Sequence, residues 1–208
     1  MRKLGHCGRA RVPNKPAMRL LLVFIREGMA GKVLPALGAA AEAARIHRAL
    51  TSVLLRQLGG LEETRLRFVF APEDASEALR FELLPQLAGR FERRGELFVI
   101  PAAPGKPELE IDFRAQGSGH HGQRLARAVA AGFAEGFAKV AAMAVDCPGT
   151  GARWVHAAFA RLGPHAELVV GPTLAGGSYL LAMQPPATPL LAEIPHRDAP
   201  SAANLLAR

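Results

Sequence analysis

Asp146-Cys147-Pro148 is the tripeptide of this chain best placed to do chemistry, because of what precedes it. Val140 to Val145 is a short, uncharged apolar run closed by the aspartate and a proline, which reads as a buried strand. Open α/β sheets bind ligands in the crevice outside the carboxyl ends of their strands, so Asp146 falls at a ligand-binding position. A carboxylate there can hold Mg²⁺ or Mn²⁺, with Mg²⁺ in particular keeping part of its water and needing only one or two carboxylates plus substrate phosphates. The same aspartate can equally be a loop or helix-capping group. Cys147 has no paired base in the sequence, which argues against a nucleophile.

Three glycine-rich segments are the other candidates. In Gly28-Met29-Ala30-Gly31-Lys32, Gly31 and Lys32 suit a phosphate cradle, where backbone N–H groups and a lysine meet an anion. It is not a P-loop: only two residues separate the glycines, and Val33 stands where Ser or Thr should follow the lysine. A plain strand-to-helix turn is the alternative. Gln116-Gly117-Ser118-Gly119-His120-His121-Gly122-Gln123-Arg124 also leads into a helix. Gly119 and Gly122 give room for a ligand, and Arg124, in the first turn, can clamp an anion. His120 and His121 are adjacent and lack a second ligand group nearby, so they read as solvated loop histidines rather than a zinc site. Gly171 to Tyr179 is a tight turn between two strands. Gly176 and Gly177 permit close approach to a ligand, with Tyr179 beside them, or they merely close a hairpin. No Ser-His-Asp order and no paired-carboxylate spacing stands out.

The elements that must position these residues alternate. Arg19 to Ile25 reads as a strand, and Gly38 to Leu58 as a helix with Ile46, Leu50, Val53, Leu54 and Leu58 on one face, stopped by Gly59-Gly60. Leu66 to Phe70 is a second strand. Pro72 and Asp74 open a helix that should end near Leu84, before Pro85. Leu97 to Ile100 is a third strand and Pro101 to Pro107 a turn. Glu108 to Phe113 alternates in polarity, as a half-exposed strand would. Gly122 to Phe137 is a helix, Thr150 caps another running to Leu162, and Leu168 to Val170 and Tyr179 to Met183 are strands. A short helix can start at Ala202. Strands alternating with helices predict a three-layer α/β fold, Rossmann-like, with a mostly parallel sheet covered on both faces.

Composition limits the partners. The chain has 208 residues, 50% hydrophobic, enough for one sizeable α/β domain. The net charge of +8 first suggests nucleic acid. Residues 1–17, however, carry five cationic side chains and no acid, so 21 basic and 18 acidic residues nearly balance in the remaining 191. One Trp and one Tyr are too few for a single-strand stacking platform, and nucleic acid is not the expected partner. Leu20 to Ile25 falls far short of the roughly 20 residues a membrane helix needs. The run ends at Arg26 and Glu27 with no clear cleavage site after it, so neither membrane nor export is expected. Cys7 and Cys147 read as two thiols in a reducing cytoplasm. Residues 1–17 are expected to be a disordered basic tail, and residues 18–208 one domain.

Taken in order, the loops resemble one family: the small bacterial glycosyltransferase-A-type proteins known as radical-SAM/selenodomain-associated, or arsenosugar-biosynthesis-type, transferases. Its members read K-x-P-x-P-G-x-V-K-T-R-L, then Q-x-G-x-D-L-G-E-R, then G-[ST]-D-C-P, then L-G-P-x-x-D-G-G-Y-Y-L. The likeness covers about residues 18–198. Phe24 to Leu37 matches the first loop in outline only, through Gly31-Lys32-Val33-Leu34, without its threonine and arginine. Gln116, Gly117, Gly119, Gly122 and Arg124 match the second, with His120 for its aspartate and Gln123 for its glutamate. Asp146, Cys147 and Pro148 match the third, after Ala144 and Val145 in place of Gly and Ser/Thr. Gly171, Pro172, Gly176, Gly177, Tyr179 and Leu180 match the fourth, with Ala175 for its aspartate.

The resemblance implies a nucleotide-diphospho-sugar transferase fold, a nucleotide sugar as donor and a small-molecule acceptor. It implies Asp146 at the diphosphate, with or without Mg²⁺ or Mn²⁺. Gly31, Lys32, Gly119, Gly122 and Arg124 would lie around the phosphates, and Gly176, Gly177 and Tyr179 at the sugar or acceptor. Turn glycines are kept while most charged groups are lost, so weakened or lost activity is also expected. A non-catalytic nucleotide- or partner-binding relative is one alternative, and a nucleotidyltransferase another.

Overall fold

The computed structural model describes residues 19–26, 40–145, 147–174, 177–185 and 191. In chain order the elements are β1 (Arg19–Arg26), α1 (Ala40–Leu58), β2 (Thr64–Ala71), a 3₁₀ turn at Glu73–Ala75, α2 (Ser76–Leu87), β3 (Glu92–Arg94), β4 (Leu97–Ile100), β5 (Leu109–Ala115), α3 (His121–Ala134), β6 (Lys139–Ala144), α4 (Ala152–Arg161), β7 (Leu168–Pro172) and β8 (Ser178–Met183). The described strands form one sheet in the order β3-β4-β5-β2-β1-β6-β8-β7. The fold is the expected three-layer α/β arrangement. Its parallel part is the centre, β5-β2-β1-β6, and both flanks are antiparallel. Among the described residues no helix is long and apolar enough to cross a membrane.

Alternation along β1 explains the layers. Leu21, Val23 and Ile25 face a core built with α1, α2 and α4, while Leu20 and Leu22 face a smaller one against Leu125 and Val129 of α3. β1 is apolar on both faces because both faces are covered. Gly132 of α3 lets the helix sit close to the sheet: a Cβ there would stand 2.7 Å from Leu20 Cδ2.

Three expectations need correction. The strand around Glu108 to Phe113 is not half-exposed: β5 pairs with β2 and β4, and its Asp112 is 2% exposed. Its polar positions are turned toward arginines on β2 rather than toward water. Arg67 Nε and Nη2 donate to the two oxygens of Asp112 at 2.7 and 2.8 Å, and Arg65 donates to Glu110 at 3.0 and 2.7 Å. Helix α2 continues past Pro85 to Leu87. A proline there costs one amide bond, to the carbonyl of Phe81, a residue on the solvent side of the helix. Helix α4 starts after Gly151 without a side-chain cap, so Thr150 is not the cap; it is buried, its amide donating to Cys147 O at 3.0 Å. Strand β3, absent from the sequence reading, is a fully exposed Glu-Arg-Arg edge with no apolar alternation to announce it. The expectations for residues 1–17, Gly38 and the helix from Ala202 lie outside the described residues.

Arg67 is the most demanding group in the sheet. It is 2% exposed and also donates to both oxygens of Glu135, at 2.8 and 2.6 Å. Glu135 ends α3, so this guanidinium joins β2, β5 and α3. Burial alone would favour deprotonation, but the hydrogen bonds from Arg67 to Asp112 and Glu135 outweigh it and hold the cation firmly charged. Removing Asp112 would leave the buried guanidinium with Glu135 as its one carboxylate partner. Asp112→Ala is therefore expected to lower the unfolding free energy by about 3–5 kcal/mol, read by urea denaturation. The hydrogen bonds from Arg67 also hold the Glu135 carboxyl below its ordinary 4.5. Its contribution is then complete above that value and is lost as pH falls through the lower folded-state pKa. Glu135→Gln should accordingly flatten the fall in stability between about pH 5 and about pH 3. Equal slopes for the two proteins would show that this carboxylate is not coupled to folding.

Candidate functional site

Strands β1, β2, β5 and β6 run parallel and so end at one edge of the sheet. Successive strands step outward from β1 through β2 to β5 on one side, then the chain crosses to β6 on the other side of β1. The strand order thus reverses between β1 and β6, and the carboxyl edge there is where such sheets form their ligand crevice. β8 is antiparallel to β6 and β7 to β8, which brings the β7–β8 turn to the same edge. The carboxyl ends of β1, β5, β6 and β7, the strands that lead into the four sequence motifs, therefore share one edge.

The segment after β5 is fully described, and it is built from the inside. Gln116 is 7% exposed; its amide donates to Phe70 O at 2.8 Å, extending the β5–β2 ladder by one bond. Its side-chain Nε2 donates to Ile25 O and Val69 O, each at 2.9 Å. One glutamine thus clasps the carboxyl ends of β5, β2 and β1. Arg127, a turn into α3, holds the loop from the other side, donating to Gln116 O and Ser118 O at 2.8 Å each. Gly117 and Gly119 have φ of +68° and +107°, and a Cβ at Gly119 would stand 2.6 Å from Gln123 Oε1. Both glycines are required by the turn itself.

His120 caps α3. Its Nδ1 accepts from the Gln123 amide at 3.4 Å, and Gln123 Oε1 accepts from the His120 amide at 3.2 Å, a reciprocal capping box. His121 lies in the first turn, its ring edge-on to Phe24 of β1 with centroids 6.0 Å apart. The two histidines thus divide between a cap and a packing contact. Gly122 is buried in the first turn. Arg124 is half-buried, its amide donating to His120 O at 3.1 Å. It lies in the first turn of α3, where backbone N–H groups and the helix dipole favour anions.

On the other side of the edge, Gly177 is buried, and its carbonyl accepts from the Thr173 amide at 2.8 Å to close the β7–β8 turn. Tyr179 belongs to β8. Its ring covers Gly171, where a Cβ would stand 2.7 Å from the ring carbon Cζ. Gly171 therefore exists to seat Tyr179. Cys147 is a half-buried thiol following β6. Gly31, Lys32, Asp146 and Gly176 lie outside the described residues. Among the described residues no group of three or more His, Cys, Asp and Glu side chains could hold a metal ion. Sequence reasoning missed the clasp by Gln116 and the brace by Arg127. A polar residue immediately after a buried strand, followed by glycines and then by an arginine at the next helical turn, was the available signal.

Residues 54–197 match the model of a family described as "Uncharacterized protein conserved in bacteria (DUF2064)". No functionally curated protein matches the chain. Among solved structures, a proposed nucleotide-diphospho-sugar transferase from Desulfovibrio desulfuricans G20 is similar with a TM-score of 0.69 at 22% identity, over 91% of this chain and 74% of that one. A cytidylyltransferase from Leptospira borgpetersenii serovar Hardjo-bovis aligns with a TM-score of 0.48 at 11% identity, over 85% of this chain and 63% of that one. The first of these shows a shared fold, the three-layer α/β arrangement of that structure.

The Gln116 clasp gives a direct test. Gln116→Met removes both donors while keeping volume, leaving the carbonyls of Ile25 and Val69 short of a partner, and should cost about 1–3 kcal/mol. Gln116→Glu sets a carboxylate against the same two carbonyls and should cost more. Denaturant unfolding of the three proteins orders them; equal stability for all three would mean that the edge is held elsewhere.

Proposed function

We propose that this chain, which belongs to the bacterial DUF2064 family, binds a nucleotide-activated sugar at the carboxyl edge of its sheet and transfers the sugar to a small-molecule acceptor. One observation supports this most: β1, β5, β6 and β7, the strands that lead into the four motif segments, all end at the edge where the strand order reverses. Those are the segments whose motifs resemble the radical-SAM/selenodomain-associated, arsenosugar-biosynthesis-type transferases.

In the transfer, the bond between the sugar's anomeric carbon and the diphosphate oxygen breaks, and the diphosphate leaves with the electron pair. An acceptor hydroxyl forms the new bond and gives up its proton to solvent or a nearby base. Negative charge grows on the leaving diphosphate, so cations aimed there lower the barrier. Lys32 and Arg124 are assigned to the phosphates, with Gly31, Gly119 and Gly122 in the loops around them. Asp146 is assigned to the diphosphate side, where it would hold Mg²⁺ or Mn²⁺ together with the donor's own phosphates. Such an ion, when bound, neutralises charge on the diphosphate. One carboxylate plus substrate phosphates is a sufficient though sparse donor set for it. Gly176 and Gly177 with Tyr179 are assigned to the sugar and acceptor side. The reading places the protein in the cytoplasm, where its thiols stay reduced.

The capping box bears on whether activity is retained. Two positions where the resembled family has acids, 120 and 123, are here a helix cap without a carboxylate, His120 with Gln123. An aspartate and a glutamate at those positions would satisfy the same two amides. Their replacement therefore removes charge without removing structure, and it is weak evidence for lost catalysis.

Thermal shift against nucleotide sugars, nucleoside diphosphates and nucleoside triphosphates, with and without Mn²⁺, tests the proposal. One nucleotide sugar is expected to raise the melting temperature by several degrees, more with Mn²⁺, and Asp146→Ala should abolish the gain. No shift from any nucleotide at millimolar concentration would overturn it. Binding without sugar transfer would identify a non-catalytic relative, and pyrophosphate release from a nucleoside triphosphate would identify nucleotidyl transfer.

A further inference from the structure

The opposite edge of the sheet carries a cavity that the transferase reading does not use. It has a volume of about 670 Å³, within the range of small-molecule sites. It opens where β4 ends at Ile100 and β5 begins at Leu109, between the ends of α1 and α2. Its wall is apolar at Ile100 and Leu109, and its rim is cationic, with Arg56 from α1, Arg90 after α2 and Lys106 from the β4–β5 connection. The lining includes one acid, Glu92, whose carboxylate lies 3.3 Å from Arg94 and is thereby partly neutralised.

The rim is held in place. Ala103 and Lys106 exchange two backbone hydrogen bonds, at 2.9 and 2.8 Å, around Gly105 at φ +73°, which fixes the turn that presents Lys106. Arg56 Nη1 donates to Ser52 Oγ at 2.8 Å, one turn back on α1, which steadies the guanidinium and leaves its other N–H groups available. Three cations around an apolar wall complement a ligand with an anionic end and an apolar body.

We propose that this cavity is a second ligand site, separate from the carboxyl-edge crevice, that takes an organic anion: a carboxylate, sulfonate or phosphate ester on an aromatic or aliphatic body. The apolar wall takes the body. Arg56, Arg90 and Lys106 take the anionic end, the arginines able to bind it in bidentate fashion. Neither element of the site belongs to the edge where the strand order reverses. A ligand here therefore need not compete with a nucleotide.

The fluorescent sulfonate 8-anilinonaphthalene-1-sulfonate, titrated into the full chain, is the probe, with neutral N-phenyl-1-naphthylamine as its uncharged counterpart. The expected result is one saturable sulfonate site per chain. Its affinity should fall by about tenfold or more in the Arg56→Ala/Lys106→Ala double variant, as loss of two charge-assisted contacts requires. Arg90→Ala should weaken it as well, and a saturating nucleoside diphosphate should leave it unchanged. The uncharged probe should bind at least tenfold more weakly and ignore the substitutions. All three side chains are exposed, so the variants should keep the wild-type melting curve by circular dichroism. Binding that ignores the charge substitutions, that is matched by the uncharged probe, or that the nucleoside diphosphate displaces would overturn the proposal.

Discussion

A guanidinium placed in the interior of a sheet must find carboxylates, and much of this molecule is arranged around that need. Arg67 stands on β2 with Asp112 directly opposite on β5, and Glu135 reaches it from the end of α3. The three groups use both oxygens of both carboxylates. Such a network is not an efficient source of stability, since apolar side chains of similar volume can do as well. It does fix geometry. Parallel strands out of register, or a shifted α3, would leave a charge buried and unpaired. The pairing of β2 with β5 and the position of α3 are thus specified by one demand.

That demand sets the far end of α3, and a second group of contacts sets its near end. The His120–Gln123 box satisfies amides at the helix start, and Arg127 ties the incoming loop to the helix. Gln116 then fastens the loop to the ends of β1 and β2. The position of Arg124 follows from these constraints rather than from any contact with a ligand. A phosphate-binding loop benefits from such support, because donors already in place do not have to be ordered when the ligand arrives.

The strands were largely legible in the sequence, and the reason is physical. β1 and β6 are buried on both faces, so they read as apolar runs closed by charged or turn residues, and β2 does so apart from Arg67. Helix boundaries were less legible: the structure carries α2 through Pro85, because a proline near an exposed helix end gives up one replaceable bond. β5 was misjudged in its surroundings, since Glu110 and Asp112 look solvent-facing until the arginines opposite them on β2 are known. Alternation reports polarity and does not say whether water or a partner answers it. In the candidate site, glycines and the cap region were visible as motifs, but the internal roles of Gln116, Gln123 and Arg127 were not. Those roles depend on carbonyls and amides brought close by topology, which side-chain chemistry in the sequence does not encode. The seat of Tyr179 on Gly171 was hidden for the same reason, because it joins two strands across a turn.

The antiparallel flanks explain why the molecule has two distinct edges to offer. In the parallel centre each connection is a crossover through a helix, which covers a face. On the flanks the chain reverses directly, so connections sit at the edges instead. β4 runs against β5, and the turn between Pro101 and Glu108 therefore lies at the amino edge, where no helix crosses it. β7 runs against β8, and its turn lies at the carboxyl edge beside the end of β6. One flank thus brings the β7–β8 turn to the edge of the strand-order reversal, while the other leaves an apolar hollow rimmed by Arg56, Arg90 and Lys106. The two edges differ in how they present positive charge. At the carboxyl edge Arg124 sits on the opening turn of a helix, where main-chain N–H groups add to it. At the amino edge Arg56 stands in the last turn of α1, with Arg90 just beyond α2 and Lys106 on the β4–β5 turn, and helix ends of that polarity attract cations. A free anion is therefore drawn to the first edge by backbone and side chain together. At the second it is drawn by side chains against an opposing dipole, so an anion alone is poorly held there, and an apolar body packed on Ile100 and Leu109 is what makes binding favourable.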